Sequence, residues 1–306
     1  MPTTSSSSSG RSPARRAILL MIGAAGCFAS NDALVKFVSQ SLAPAQVILL
    51  RSVIASVLIL LVARRAGATP HLAAAVSPRV LGRCVADAFG TSMYLLSLFH
   101  LPLANATAIN LAAPVFMTLF AVLLLGERAS GARWAAVGLG FAGVLAVVQP
   151  AGDGFNAWAL LCVAGTLLHA VRDLLTRRID PAVPSLVIAL SSAVALGVLG
   201  AALLLWQGWR PVAWWHLALL AAAASLLISA YLLLIGSLRL AEISLTAPFR
   251  YSSLLFAVLL GYGVWGQIPN AWAWAGIALL VGSGLYMVHS ERGRNAAAQA
   301  LAQPPE

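Results

Sequence analysis

Asn31-Asp32-Ala33-Leu34-Val35-Lys36 lies inside an apolar run that starts near Ala17 and does not stop until Val38. Two opposite charges in such a run are unusual, and the pattern returns. Arg172-Asp173-Leu174-Leu175-Thr176-Arg177 again places an acid and, four residues on, a base late in an apolar stretch. Asp32 and Asp173 are 141 residues apart, and so are Lys36 and Arg177. Other strings repeat at nearly the same offset: Tyr94-Leu95-Leu96 with Tyr231-Leu232-Leu233, Leu119 to Leu124 with Leu255 to Leu260, and Gly126-Glu127 with Gly266-Gln267. The chain reads as two copies of one unit of about 140 residues.

The composition states what solvent that unit meets. Of 306 residues, 60% are hydrophobic and 9% are charged, against about 25% charged in soluble domains. The mean hydropathy is +0.90. A soluble or disordered chain is excluded. The net charge of +10 does not point to nucleic acid, because the cations stand singly or in pairs between apolar runs rather than on one face. Cys27, Cys84 and Cys162 are far apart and odd in number, which suits packing residues better than disulfides or metal ligands. Arg11, Arg15 and Arg16 before an apolar run resemble a signal peptide, but that run has no clear cleavage site and many more follow, so it reads as a first span.

Segments of about 20 apolar residues can cross the hydrocarbon. Ten are expected: 17–38, 43–63, 80–99, 103–125, 132–149, 157–176, 184–205, 214–237, 243–263 and 270–288. Pro44, Pro102, Pro150 and Pro269 fall at the joints, where a missing N–H does no harm. With the N-terminus inside, fourteen arginines lie in inside segments and only Arg210 lies outside. The positive-inside rule therefore places both termini in the cytoplasm. Trp206, Trp209, Trp214 and Trp215 read as an aromatic belt at one interface.

Each half holds five spans, an odd number, so the second half enters the membrane from the opposite side. Inverted repeats of this kind build secondary transporters, where exchanging the conformations of the halves moves access from one side to the other. The expected fold class is all-α integral membrane, ten transmembrane helices as two inverted five-helix repeats (17–150 and 157–288), with a disordered cytoplasmic tail at 1–16, a cytoplasmic tail at 289–306 that is disordered from Arg292, and both termini cytoplasmic. The first four helices of each half should line a central cleft.

Asn31-Asp32…Lys36, Gln46…Arg51, Pro114 before Leu125-Gly126-Glu127, and Ala247-Pro248-Phe249-Arg250-Tyr251…Gly266-Gln267-x-Pro269 together resemble the EamA family of the drug/metabolite transporter superfamily, over about residues 17–288. The Asn-Asp-x-x-x-Lys start and the Pro-Phe-Arg-Tyr stretch resemble the subgroup that contains bacterial S-adenosylmethionine uptake carriers. The family's usual second Gly-Glu is Gly266-Gln267 here. The resemblance implies solute transport across the plasma (inner) membrane and does not name the solute.

Charges at membrane depth cost about 2.5–3.5 kcal/mol each on insertion scales, so each needs a reason. Asp32, Lys36, Arg51, Asp87, Tyr94, Asn110, His169, Arg250 and Tyr251 are the candidates to line a solute cleft. Asp32 with Lys36, and Asp173 with Arg177, are the candidate gates at opposite ends. A structural alternative pairs Asp32 with Lys36 or Arg51, Asp87 with Arg250, and Asp173 with Arg177. Counting Lys36, Arg51, Arg172 and Arg250 against Asp32, Asp87 and Asp173 leaves one positive charge, which favours a solute with a carboxylate or phosphate. Arg250, freed by Pro248 and carrying a planar fork, is the first choice to hold it. Glu127 and Arg128 read as a solvated turn or a gate. The glycines 138, 140, 143, 276, 282 and 284 read as packing stripes within one chain.

No phosphate-cradling loop, metal cluster or nucleophile motif is present. The expected function is a non-enzymatic secondary transporter of a small polar metabolite: an amino acid, S-adenosylmethionine or a similar zwitterion or anion. A broad-specificity drug or metabolite exporter and a non-transporting scaffold are the alternatives. The expected partners are a small-molecule solute, membrane lipid and a proton as candidate coupling ion, with no cofactor, no metal and no nucleic acid, in a monomer or homodimer.

Overall fold

The structure, a computed structural model, describes residues 11–65, 67, 69–125, 131–149, 156–180, 182–241 and 243–302. Every regular element among them is helical: α1 (Arg11–Val38), α2 (Pro44–Arg65), α3 (Pro78–His100), α4 (Leu103–Asn110), α5 (Ala113–Leu125), α6 (Gly131–Val148), α7 (Ala157–Thr176), α8 (Ser185–Gln207), α9 (Trp214–Leu240), α10 (Ile243–Thr246), α11 (Ser252–Trp265) and α12 (Ala271–Ala302). Short 3-10 turns occupy Thr69–Val76 and Ala247–Tyr251. Six stretches are individually long and apolar enough to cross a bilayer: Pro13–Val38, Pro44–Arg65, Leu103–Phe120, Ala157–Thr176, Ser185–Gln207 and Trp214–Leu240. Taking α4 with α5, and α10 with α11, as single interrupted rods, the described residues form ten rods, the number expected.

The punctuation is local chemistry. Asn156 caps α7 by accepting the Trp158 N–H at 3.0 Å. Gly208 and Gly266 end α8 and α11 at φ of 74° and 64°, backbone that a side chain would strain. Two differences from expectation are instructive. The spans expected at 103–125 and 243–263 are not continuous. One breaks at Leu111 and Ala112, just before Pro114, and the other winds into the 3-10 turn around Pro248. Each proline removes an N–H and frees a carbonyl one turn back. The parts of both expected tails next to the spans are helical: α1 begins at Arg11, and α12 runs on through an alanine-rich stretch to Ala302. Gly126, Glu127, Arg128 and Pro150 lie outside the described residues.

Four rod pairs dominate the packing: α1 on α9, α3 on α7, α2 on α8 and α6 on α12. Secondary pairs are α3 on α8, α2 on α9, α1 on α11, α5 on α7 and α4 on α11. Advancing each rod's number by five maps the set onto itself: first-on-eighth becomes sixth-on-third, and first-on-ninth becomes sixth-on-fourth. Glycines allow the closest approaches. A Cβ on Gly143 would sit 2.9 Å from the Gly276 carbonyl oxygen, and one on Gly276 would sit 2.6 Å from that of Gly143. A Cβ on Gly284 would collide with the Tyr251 hydroxyl, whereas Gly138 and Gly282 face open space. The outward surface is apolar, as a lipid-facing surface must be, with residues such as Leu205, Val198 and Leu123 exposed.

The turns after the odd-numbered rods gather at one end of the bundle, here named the turn end, opposite the end where α1 begins and α12 finishes. They are bonded to one another. Gln46 and the Arg210 backbone exchange two hydrogen bonds, at 2.8 and 3.1 Å. The Ala45 N–H donates to Gln207 at 2.9 Å and the Leu103 N–H donates to Gln267 at 3.2 Å. Gln149 and Asn270 exchange two more, and His100 stacks on Trp158 with ring centroids 3.8 Å apart. Trp206, Trp209, Trp214 and Trp272 are exposed around this end.

Candidate solute-binding site

The polar side chains at mid-bundle come from seven rods and meet. Asp32 on α1 accepts the Tyr94 hydroxyl of α3 at 2.6 Å and the Asn31 amide at 2.8 Å. Arg51 on α2 reaches Asn31 Oδ1 at 3.5 Å. One turn and more along α3, Asp87 is held by Arg83 at 3.1 Å and by Arg172 of α7 at 2.9 Å. Arg172 also grips Asp173 at 2.8 Å, so one guanidinium bridges two carboxylates. Arg83 further contacts Ser192 of α8. His169 on α7 bonds Asn110 at 3.0 Å, at the C-terminal break of α4, and Thr91 at 3.3 Å. Tyr231 of α9 lies within electrostatic reach of Arg172, Asp87, Arg83 and Arg51.

Backbone geometry holds this set in place. A Cβ on Gly165 would sit 2.9 Å from the Gly90 carbonyl oxygen and 3.0 Å from the Tyr94 nitrogen. That approach of α7 to α3 sets His169 against Tyr94, centroids 6.3 Å apart. On the other side, Phe28 of α1 meets Tyr231 of α9 edge-on at 5.3 Å. Phe28 and His169 are 141 residues apart, and Tyr94 and Tyr231 are 137 apart. The two aromatic pairs thus join residues at nearly the same offset in the chain.

Of the residues expected in a cleft, Asp32, Arg51, Asp87, Tyr94, Asn110 and His169 stand together. Lys36, Arg250 and Tyr251 stand elsewhere. Lys36 is buried toward the turn end, donating to the Leu98 and Leu101 carbonyls at 2.6 and 2.5 Å, with Nζ 5.7 Å from the Trp265 ring centre. It satisfies the free carbonyls at the end of α3 rather than pairing with Asp32. Arg250 is exposed, and Tyr251 packs on Gly284 of α12. Asp87 takes Arg83 and Arg172, not Arg250, because α7 crosses α3 at that level. Asp173 takes Arg172, its neighbour, and Arg177 is exposed. Arg83, assigned from the sequence to an inside segment, joins the cluster instead. Arg51, Arg83 and Arg172 now balance Asp32, Asp87 and Asp173, so the expected surplus positive charge is absent among these six. Asn31, Arg83, Thr91 and Tyr231 are additions. Tyr231 had a signal in the sequence, being the repeat partner of Tyr94, and Arg83 had one in its four-residue spacing from Asp87.

No group of three or more His, Cys, Asp or Glu with metal-holding geometry occurs among the described residues, and Cys27, Cys84 and Cys162 are free. Separate from the cluster, a pocket of about 200 Å³ at the turn end is lined by Asn105, Gln149, Asn156 and Asn270 among others.

Comparison with known proteins gives the family and the fold. Residues 15–149 match the model of the EamA-like transporter family. A riboflavin transporter of Rhizobium johnstonii is 32% identical over 216 residues, 71% of this chain and 72% of that protein. The chain belongs to the EamA-like transporter family. A pseudopaline exporter of Pseudomonas aeruginosa is 28% identical over 284 residues, covering 90% of this chain and 97% of that one. An S-adenosylmethionine uptake transporter of Rickettsia prowazekii is 23% identical over 204 residues, 67% and 69% of the two chains. One crystal structure superposes with a TM-score of 0.61 at 23% identity, over 90% of this chain and 97% of that one, and shares the fold. This EamA-like protein is thus a multi-pass membrane protein from a family of transporters.

Proposed function

We propose that this chain is a secondary transporter that moves a small polar metabolite by alternating access between two inverted five-rod repeats, with both termini cytoplasmic. The observation that carries the reading is the balanced ion cluster at mid-bundle, set inside a packing scheme that maps onto itself when the halves are exchanged. The two aromatic pairs and the interrupted rods at matching places in the two halves support it. Broken spans at corresponding positions are where transporters of this architecture place their sites.

With Arg83 set aside, thirteen arginines in the inside segments against Arg210 alone support the turn end lying outside. The bonded turns, the seated Lys36 and the exposed Arg177 support an outward-closed state. Lys36 and Arg177 then act as equivalent gate residues at opposite ends, the first buried and the second exposed. A cluster with equal numbers of acids and bases suits a solute that carries both signs or neither. Counterflow of labelled metabolites in proteoliposomes tests the proposal. Accumulation of one solute class that is lost on exchanging Asp32 for Asn supports it. Absence of flux for amino acids, S-adenosylmethionine, flavins, nucleotides and sugars would return the chain to a scaffold role.

A further inference from the structure

The ion cluster is not evenly satisfied. Asp87, Arg83, Arg172 and Asp173 complete one another through bonds of 2.8 to 3.1 Å. Arg51 has no such partner. It is 6% exposed, carries five N–H donors, and makes one long bond of 3.5 Å to Asn31 Oδ1. Its Nε is buried with no acceptor, and among the described residues no carboxylate forms an ion pair with it. A buried guanidinium left this open is costly and is short of a bidentate oxygen ligand.

Asn31 links Arg51 to an anion. The Asn31 amide turns its oxygen to Arg51 and its nitrogen to Asp32 Oδ1, at 2.8 Å. The other oxygen of Asp32 is fixed by Tyr94 at 2.6 Å. One amide group therefore fills the space between a cation and an anion, with the polarity each demands. An α-amino-acid group offers the same polarity over nearly the same span: carboxylate oxygen at one end, ammonium N–H at the other. Its full charges answer Arg51 and Asp32 more strongly than a neutral amide does.

We propose that Arg51 and Asp32 form a clamp for the α-amino-acid group of a zwitterionic solute. The carboxylate lies on the Nε and Nη edge of Arg51. The ammonium donates to Asp32, Asn31 turns aside, and Tyr94 keeps the Asp32 carboxylate oriented. The proposal rests on the transport reading above and narrows its solute to one class. Arg250, exposed in its 3-10 turn, is not the anchor.

Thermal unfolding of the purified full chain in detergent tests this with the twenty standard L-amino acids and S-adenosylmethionine as probes. At least one should raise the Tm. Its methyl ester, lacking the anionic carboxylate, and its des-amino acid, lacking the ammonium, should each bind about 100-fold more weakly or worse, because a buried partner is then left unpaired. Arg51→Gln should lose the zwitterion, and Asp32→Asn should lose it too, while Arg250→Gln should bind it within about threefold. The analogue comparison uses the wild-type protein, so a variant that fails to fold does not decide the outcome. The clamp is overturned if no zwitterion shifts the Tm, or if ester and des-amino acid bind within about threefold of the parent. Uptake of an uncharged solute by the same preparation would then leave transport standing without the clamp. Selective zwitterion binding with no flux of any solute would leave the clamp and remove the transporter.

Discussion

At the residue scale the polar groups divide into those that answer one another and those that do not. Asp87 sits between Arg83 and Arg172, with 14 to 20% of these side chains exposed. Asp87→Ala strands two guanidiniums, and the protein should lose about 3 kcal/mol of stability, the lower end of the range for breaking a buried pair. Thermal melting in detergent reads this, and adding Arg172→Met should restore part of the loss. Lys36 makes a different bargain, since backbone carbonyls and an indole face replace a carboxylate. Lys36→Met keeps the volume and removes the bonds. It should loosen the turn end, so that a cysteine at Asn105, in a chain without Cys27, Cys84 and Cys162, reacts about tenfold faster with an impermeant maleimide added from that side. A tenfold change corresponds to about 1.4 kcal/mol of lost closure. Unchanged labelling would mean that Lys36 does not help to seal that end.

At the scale of elements, the site depends on how closely two helices approach. Gly90 and Gly165 let α3 and α7 touch through backbone atoms, and those atoms cannot step aside as a flexible side chain can. Gly165→Ala should cost about 1–3 kcal/mol by overpacking. It should also displace Tyr94 from Asp32, weakening solute binding more than Gly138→Ala, which faces open space. Equal effects of the two substitutions on binding would show that this crossing does not position the site. The interrupted rods matter in another way. The break after Asn110 sets that amide against His169, a contact that an unbroken helix from Leu103 to Leu125 would carry to a different level.

For the whole molecule, the repeat makes a prediction of opposite motion. If the halves exchange conformations, substrate should change labelling of cysteines introduced at Ser39 and at Arg178 in opposite directions. Both rising together would remove alternating access by these elements. Lys36 is buried and Arg177 is exposed, so labelling near 178 should be the faster before substrate is added.

The span count and the membrane setting follow from the order of residues, because they rest on local properties: apolar length, proline at joints and arginine in short turns. Six of the nine residues proposed for a cleft stand together, and a polar group in a span is conspicuous wherever it folds. Partner choice was not recognisable. Asp32 and Lys36 are four apart on one helix and read as a pair, yet Tyr94 and the end of α3 claim them separately. Arg250 promised an anchor and is exposed in its 3-10 turn, whereas Arg83 looked like a loop cation and joins the cluster. Those outcomes depend on which helices cross at which level. That is set by contacts between residues 60 to 140 positions apart, such as the Gly90–Gly165 approach, for which no local pattern carries a sign.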